Sequence, residues 1–217
     1  MTGFDRDYGI YLVTDRGLCG ERGVLDTVRQ AVDAGVGCVQ YREKHASDAE
    51  QLAEIAALAE IIDRRVPLLV NDRLDLAVAA RRRGIVVDGV HLGQDDAPVG
   101  EARAVLGPDA IVGHSAETIE QITAIPGGVD YIGVGAVHAT RTKPDHPPEL
   151  GIDGFADLAA RSPLPCVAIG GIQMADVTPL RRSGAVGAAV VSAICAADDV
   201  ASTTAELVRE WDRTSFA

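Results

Sequence analysis

Eight short apolar runs recur along this chain, and their spacing constrains its fold more than any composition figure does. They are Gly9–Thr14, Gly37–Arg42, Pro67–Asn71, Gly89–Leu92, Ala110–His114, Asp130–Val134, Pro165–Ile169 and Gly187–Val191. Each is continuously apolar rather than alternating, the pattern of parallel strands buried on both faces. Helix-period stretches lie between them. Leu25–Ala34 places Leu25, Val28 and Val32 on one face and stops at Gly35, and Ser47-Asp48-Ala49-Glu50 is a capping box opening a helix through Ile62. Thr118–Ala124, Ile152–Arg161, Met174–Ser183 and Asp198–Trp211 read as further helices. Eight strands, each followed by a helix at a repeat of roughly 25 residues, predict an α/β chain folded as one small (β/α)8 (TIM) barrel over residues 1–217. The rival doubly wound sheet wants a Gly-rich turn after its first strand, where Thr14-Asp15-Arg16 stands instead.

Charge narrows the partners. The 217 residues carry a net charge of −12, which disfavours a general nucleic-acid binder, since phosphate backbones require a clustered basic face. The longest uncharged run, Ser183 to Ala197, is shorter than the ~18 residues of a membrane span and is broken by glycines. The start, Met1 to Asp7, has acids and no apolar core, unlike a signal peptide. Cys19, Cys38, Cys166 and Cys195 form no C-x-x-C pair, which argues against a zinc site or a disulfide framework. A cytoplasmic protein without membrane or nucleic-acid partners is expected. Of its 20 basic residues only Lys44 and Lys143 are lysines, a skew that suggests a compact ammonium is kept where it is needed.

Barrel chemistry takes place at the carboxyl ends of the strands, so polar groups there are candidates for a site. The second strand ends Gln40-Tyr41-Arg42-Glu43-Lys44, and strand alternation puts Gln40, Arg42 and Lys44 on one side as an anion site. The third ends Asn71-Asp72 and the fourth leads into Gln94-Asp95-Asp96. Carboxylates at neighbouring strand tips suit Mg²⁺, although Asp72 is also well placed to cap a helix. Ser115 follows the fifth strand, as a ligand or as the next helix cap. The loop after the sixth, Gly135 to Pro144, is polar, long and holds Lys143. Gly170-Gly171 and Val191-Ser192 end the last two strands, where this barrel cradles phosphate. Two anion sites on one face suggest a transferase that joins two phosphorylated small molecules and releases diphosphate.

These segments resemble the thiamine-phosphate synthase family. The resemblance runs in order through YLVTDR (Tyr11–Arg16), VQYREK (Val39–Lys44), LLVNDR (Leu68–Arg73), GVHLGQDD (Gly89–Asp96), GHSAET (Gly113–Thr118), DYIGVGAVHATRTK (Asp130–Lys143), VAIGGI (Val167–Ile172) and VVSAI (Val190–Ile194). It implies condensation of 4-amino-2-methyl-5-hydroxymethylpyrimidine diphosphate with 4-methyl-5-(2-phosphoethyl)thiazole, plain or carboxylated, by a dissociative Mg²⁺-assisted route. It further implies that Gln40, Arg42, Lys44, Asn71, Ser115 and Lys143 hold the pyrimidine diphosphate. Of these, Lys143, Arg42, Lys44 and Ser115 would act in catalysis. Asp72 and Asp96 would bind one Mg²⁺ per subunit, and Thr140, Arg141, Thr142, Gly171, Val191 and Ser192 would hold the thiazole phosphate. A homo-oligomer is left open.

Two stretches depart from the family. Arg81 to Val87 reads as a short insertion at the rim opposite the site, with no function assigned. Ala139-Thr140-Arg141-Thr142 stands where the family often has Pro and a smaller or acidic residue. Three rival readings are weighed against this one. A thiazole tautomerase would have no use for Arg42, Lys44 and two metal carboxylates, and a non-catalytic thiamine-pathway sensor should have lost a charged group of the diphosphate site. A phosphosugar isomerase would need a paired acid and base.

Overall fold

The computed structural model describes residues 7–140 and 149–213. Its eight strands are β1 (Gly9–Val13), β2 (Cys38–Tyr41), β3 (Leu68–Asn71), β4 (Gly89–Leu92), β5 (Ile111–Ala116), β6 (Tyr131–Val134), β7 (Cys166–Ile169) and β8 (Gly187–Val190). They pair in chain order, all parallel, and β8 closes on β1. The expected barrel is therefore present. The helices are α1 (Arg16–Cys19), α2 (Gly23–Asp33), α3 (Asp48–Ile62), α4 (Leu74–Arg82), α5 (Val99–Leu106), α6 (Ile119–Thr123), α7 (Gly151–Arg161), α8 (Met174–Arg182), α9 (Ser192–Cys195) and α10 (Val200–Asp212), with a 3₁₀ turn at Gly20–Arg22. Among the described residues no helix is long and apolar enough to cross a membrane.

Strand alternation divides the apolar side chains into two clusters. One, with Ile10, Leu12, Val39, Tyr41, Leu68 and Val70, packs between the strands and the surrounding helices. The other fills the barrel itself with Tyr8, Tyr11, Val13, Cys38, Leu69, Ile111, Tyr131, Val167 and Ala189. Gly113 faces this interior beside Tyr131 and His91, and a Cβ there would overlap both rings. The capping box at Ser47 forms as read, with Ser47 Oγ accepting from the Glu50 N–H while the Glu50 carboxylate accepts from the Ser47 N–H at 2.9 Å.

Two local readings can be compared with the structure. In the Arg81–Val87 stretch, Arg81 and Arg82 close α4, and Val87 is buried ahead of β4. The Arg81 guanidinium donates to the Val87, Leu106 and Asp88 carbonyls at 2.7, 2.7 and 3.0 Å, tying the end of α4 to the residues ahead of β4 and to the end of α5 at the amino-terminal end of the barrel. That is a structural role, at the end away from the chemistry. Asp72 does not cap α4, because the cap position is Arg73, which makes no side-chain cap bond. The Asp72 carboxylate is directed elsewhere.

Candidate active site

The β2 strip divides as alternation predicts, though the strand itself stops at Tyr41. Gln40 is buried inside the barrel and donates from Nε2 to the Tyr11 hydroxyl at 2.7 Å. Tyr41 points outward into the helix layer. Arg42 and Lys44 lie past the strand end, where they line a cleft of about 640 Å³ with Asp15, Arg16, Gly17, Glu43, His45, Ala46 and Glu50. Arg42 is held from two sides: its N–H donates to Thr14 Oγ1 at 2.9 Å, and its guanidinium lies 3.4 Å from the Asp15 carboxylate, which also caps α1.

Glu43, which the sequence reading passed over, fixes this loop. Its carboxylate takes the Arg16 guanidinium at 2.6 Å and accepts the His45 and Ala46 N–H groups at 2.7 and 3.2 Å. Burial works against its charge, but these donors outweigh it and pull Glu43 down to about 2. A carboxyl depressed in the folded state contributes stability that is present above its ordinary pKa and lost as pH falls through the folded value. Glu43→Gln is therefore expected to lower Tm at pH 6 and to reduce the loss of Tm between pH 5 and pH 2. Thermal melts across that range check it; parallel wild-type and variant curves would contradict the clamp.

The tips of β3 and β4 carry the carboxylates. Asp72 has φ +61°, a left-handed conformation that non-glycine residues rarely adopt outside constrained positions. Its N–H is held by the His91 carbonyl at 2.8 Å across the strand pair, and its carboxylate pairs with the Lys44 ammonium. Asp96 reaches the same point from the loop after β4, where the Gly93 N–H donates to it at 2.6 Å. Burial disfavours the Asp72 charge, yet Lys44 and a proton shared with Asp96 outweigh it and hold Asp72 below the usual carboxylate range. Burial and the facing Asp72 charge push Asp96 the other way. Two carboxyl groups meeting beside one ammonium are a cluster short of positive charge. Among the described residues no group of three or more His, Cys, Asp or Glu side chains forms a complete metal cage. The pair is thus a partial oxygen donor set. Asn71 is half-buried at the tip of β3, opposite His91 in register.

Ser115 is a strand residue rather than a helix cap; β5 continues to Ala116, and Thr118 caps α6 by accepting from the Gln121 N–H. Its hydroxyl lies 3.0 Å from His91 Nε2, and its carbonyl accepts from Gln94 Nε2 at 2.5 Å. His91, Tyr11 and Tyr131, also missed from sequence, lie behind these contacts inside the barrel. Their trace in the sequence is a pair of glycines, Gly113 and Gly133, at inward positions of β5 and β6: a Cβ on Gly133 would sit 2.9 Å from His91 Cε1.

On the other side of the mouth the loops after β6 and β7 come together. The His138 N–H donates to the Gly170 carbonyl at 3.0 Å, and His138 Nε2 lies 2.9 Å from Asp176 Oδ1 at the start of α8. Thr140 is the last described residue of the first stretch. Arg141, Thr142 and Lys143 lie outside the described residues. Gly171 has φ +64°, and a Cβ there would sit 2.8 Å from His138 Cβ and 2.9 Å from the Ala139 carbonyl. The glycine is therefore required by the close approach of the β6 loop, a reason the sequence could not supply. Val191 precedes α9, and Ser192 opens it, exposed.

Residues 10–194 match the family model described as thiamine monophosphate synthase. The chain is 45% identical over 211 residues to the thiamine-phosphate synthase of Azorhizobium caulinodans, covering 95% of this chain and 97% of that one. It is 45% identical over 194 residues to the enzyme of the same name from a Psychrobacter species, covering 88% and 89%. Among solved structures, the thiamine phosphate pyrophosphorylase of Pyrococcus furiosus superposes with a TM-score of 0.83 at 29% identity, over 96% of this chain and 98% of that one.

Proposed function

The chain belongs to the thiamine monophosphate synthase family, and on that premise we propose a cytoplasmic transferase that joins an aminopyrimidine methyl diphosphate to a thiazole phosphate, giving thiamine phosphate and pyrophosphate. The observation that carries the reading is the meeting of Lys44, Asp72 and Asp96 at adjacent strand tips, with Arg42 lining the same cleft as Lys44 and the Gly170-Gly171 and Ser192 turns elsewhere on the same face. One wall favours a diphosphate and the other a monophosphate.

The donor set fits Mg²⁺. Hard carboxylate oxygens from two residues, completed by substrate phosphate and water, are how this ion is commonly held. Asp72 and Asp96 would hold one Mg²⁺ per subunit, and the ion would stabilise charge on the pyrophosphate as it forms. Lys44 and Arg42 bind the same diphosphate, whose C–O bond breaks to release pyrophosphate before the thiazole nitrogen adds its lone pair to the methylene and forms the new C–N bond. Charge develops on the departing oxygen, so preorganised cations near it lower the barrier more than they tighten the ground state. Gln40, Asn71 and Ser115 orient the pyrimidine, which shares the positive charge left on its methylene in a dissociative path. Thr140, Gly171, Val191 and Ser192 hold the thiazole phosphate; by resemblance Arg141 and Thr142 join them, and Lys143 joins the diphosphate contacts.

The direct test is to mix the two phosphorylated heterocycles with the protein and measure pyrophosphate and thiamine phosphate. Equal amounts of both products are expected with MgCl₂ and almost none with EDTA. Neither product at any Mg²⁺ concentration would overturn the reading.

Gly171→Ala tests the two-walled division. The side chain must enter a left-handed position and press on His138 and Ala139, moving the loop that carries Thr140. The expected result is a KM for the thiazole phosphate raised about 10-fold, with a Tm lowered by about 2–4 °C for each ~1 kcal/mol of strain. The KM for the diphosphate should hold. Equal weakening of both substrates would contradict the division.

A further inference from the structure

Inside the barrel, behind the residues assigned to the pyrimidine, five side chains form an unbroken hydrogen-bonded file. Gln40 Nε2 lies 2.7 Å from the Tyr11 hydroxyl, and the Tyr11 and Tyr131 hydroxyls are 2.8 Å apart. The Tyr131 hydroxyl is 2.9 Å from His91 Nδ1, and His91 Nε2 is 3.0 Å from Ser115 Oγ. The file runs through β2, β1, β6, β4 and β5, and its two ends are Gln40 and Ser115. Tyr11 and Tyr131 are at most 1% exposed. The ring of Tyr8 packs on that of Tyr131, with centroids 4.7 Å apart, and Gly113 and Gly133 clear the space that Tyr131 and His91 occupy.

Such a file has a direction. A phenol has one proton, so a hydroxyl between two partners that accepts from one must donate to the other. Burial pushes both phenols well above their ordinary value, so each keeps that proton at neutral pH. The Gln40 amide nitrogen can only donate. Tyr11 therefore accepts from Gln40 and donates to Tyr131, and Tyr131 donates to His91 Nδ1. That nitrogen must then be bare, which places the proton of a neutral imidazole on Nε2, aimed at Ser115 Oγ. Ser115 accepts there and keeps its own proton for a partner outside the file. Gln40 keeps its carbonyl oxygen, to which no side chain donates among the described residues. One end of the file thus offers an acceptor and the other a donor.

We propose that Tyr11, Tyr131 and His91 are positioning residues that set the hydrogen-bond polarity of the pyrimidine pocket, and so select a 4-aminopyrimidine over its 4-oxo counterpart. The inference rests on the family reading of Gln40 and Ser115 as pyrimidine contacts. A 4-aminopyrimidine presents an NH₂ donor next to a ring-nitrogen acceptor, which complements a carbonyl at Gln40 and a hydroxyl proton at Ser115. The 4-oxo ring presents an acceptor next to an N–H, reversing both contacts. A site with fixed polar groups rejects a ligand that leaves them unpaired far more strongly than an apolar pocket rejects a change of size.

Two measurements test this, and the first needs no substrate. Nitrogen-15 NMR of the histidine-labelled protein at pH 7.5, with His91 assigned by its loss in His91→Gln, should show the Nε2-protonated neutral tautomer. An Nδ1-protonated ring, or a doubly protonated one, would overturn the polarity whatever the protein binds. The second is calorimetric binding of the 4-amino and 4-oxo pyrimidine methyl diphosphates without the thiazole partner. Wild type should favour the amino ligand by about 10³-fold. Tyr131→Phe cuts the file in the middle and should weaken the amino ligand about 10-fold while narrowing the ratio by a similar factor. A purely structural role would weaken both ligands alike, and an unchanged ratio would overturn the proposal. If the tautomer is as expected but wild type binds neither diphosphate, the pyrimidine reading has failed, and the selectivity assigned to the file fails with it.

Discussion

Asp72→Asn is expected to lower kcat/KM by about 10³-fold and to raise the MgCl₂ concentration needed for half-maximal rate, with a Tm within about 2–4 °C of wild type. The choice of asparagine matters because Asp72 does two things at once. Its backbone occupies a left-handed conformation at φ +61°, and its carboxylate meets Lys44 and Asp96. Asparagine tolerates that backbone region better than most residues and keeps the shape of the side chain, so it removes only the charge. Asp72→Ala removes the charge and also adds a left-handed penalty of about 1–2 kcal/mol. Comparing the two variants separates chemistry from strain: both should lose the same activity, and only the alanine variant should melt earlier by more than a few degrees. An asparagine variant with wild-type turnover and unchanged metal dependence would remove Asp72 from the metal site.

Lys44→Met is expected to reduce kcat/KM for the pyrimidine diphosphate by about 10²-fold, the usual result of losing one preorganised charge-stabilising donor. The KM for the thiazole phosphate should stay within about twofold, since no observation ties Lys44 to the glycine side of the mouth. The opposing view makes Lys44 one member of an ordinary exposed ion pair. Its side chain is 45% exposed, and such pairs contribute about 0–1 kcal/mol, so its removal would be nearly silent in both rate and stability. The structure favours the first view because the partner is a strained carboxylate that faces a second acid, an arrangement with no advantage for folding alone. Lys44→Arg should recover only part of the loss: a planar fork is wider than an ammonium and cannot occupy the same place between Asp72 and the diphosphate. Steady-state kinetics of the two variants, with melts to confirm folding, decide between these views.

The elements that sequence located well are those whose signal is local. Eight continuous apolar runs gave the barrel because parallel strands covered on both faces need no alternation. Ser47 and Glu50 gave a helix start because both bonds of a capping box lie within four residues. Gln40, Arg42, Lys44, Asn71, Asp72, Asp96 and Ser115 were legible as candidates for a site because strand ends in this fold face one mouth, and polar groups there have no use in a core.

Other features depended on neighbours distant in the chain. For Asp72 the helix cap stood open beside the site reading, because a cap is the cheapest local use of an aspartate, and the position of Lys44, 28 residues away, shows where its carboxylate is directed. Gly171 was read as opening space for a phosphate, whereas the β6 loop pressing on it from His138 and Ala139 already demands a residue without Cβ. Arg81 had no role assigned, because one of the carbonyls it satisfies, that of Leu106, lies 25 residues away and meets it only after folding. The file from Gln40 to Ser115 is the extreme case. Tyr11 and Tyr131 are 120 residues apart, and each alone is an ordinary buried aromatic of a strand. Residue type and spacing along the chain determined the barrel, the face that carries the site and most of the charged groups on it. Strand pairing around the barrel decided which of those groups touch, because hydrogen bonds and ion pairs act over a few ångströms and their partners here are set by register, not by distance in sequence.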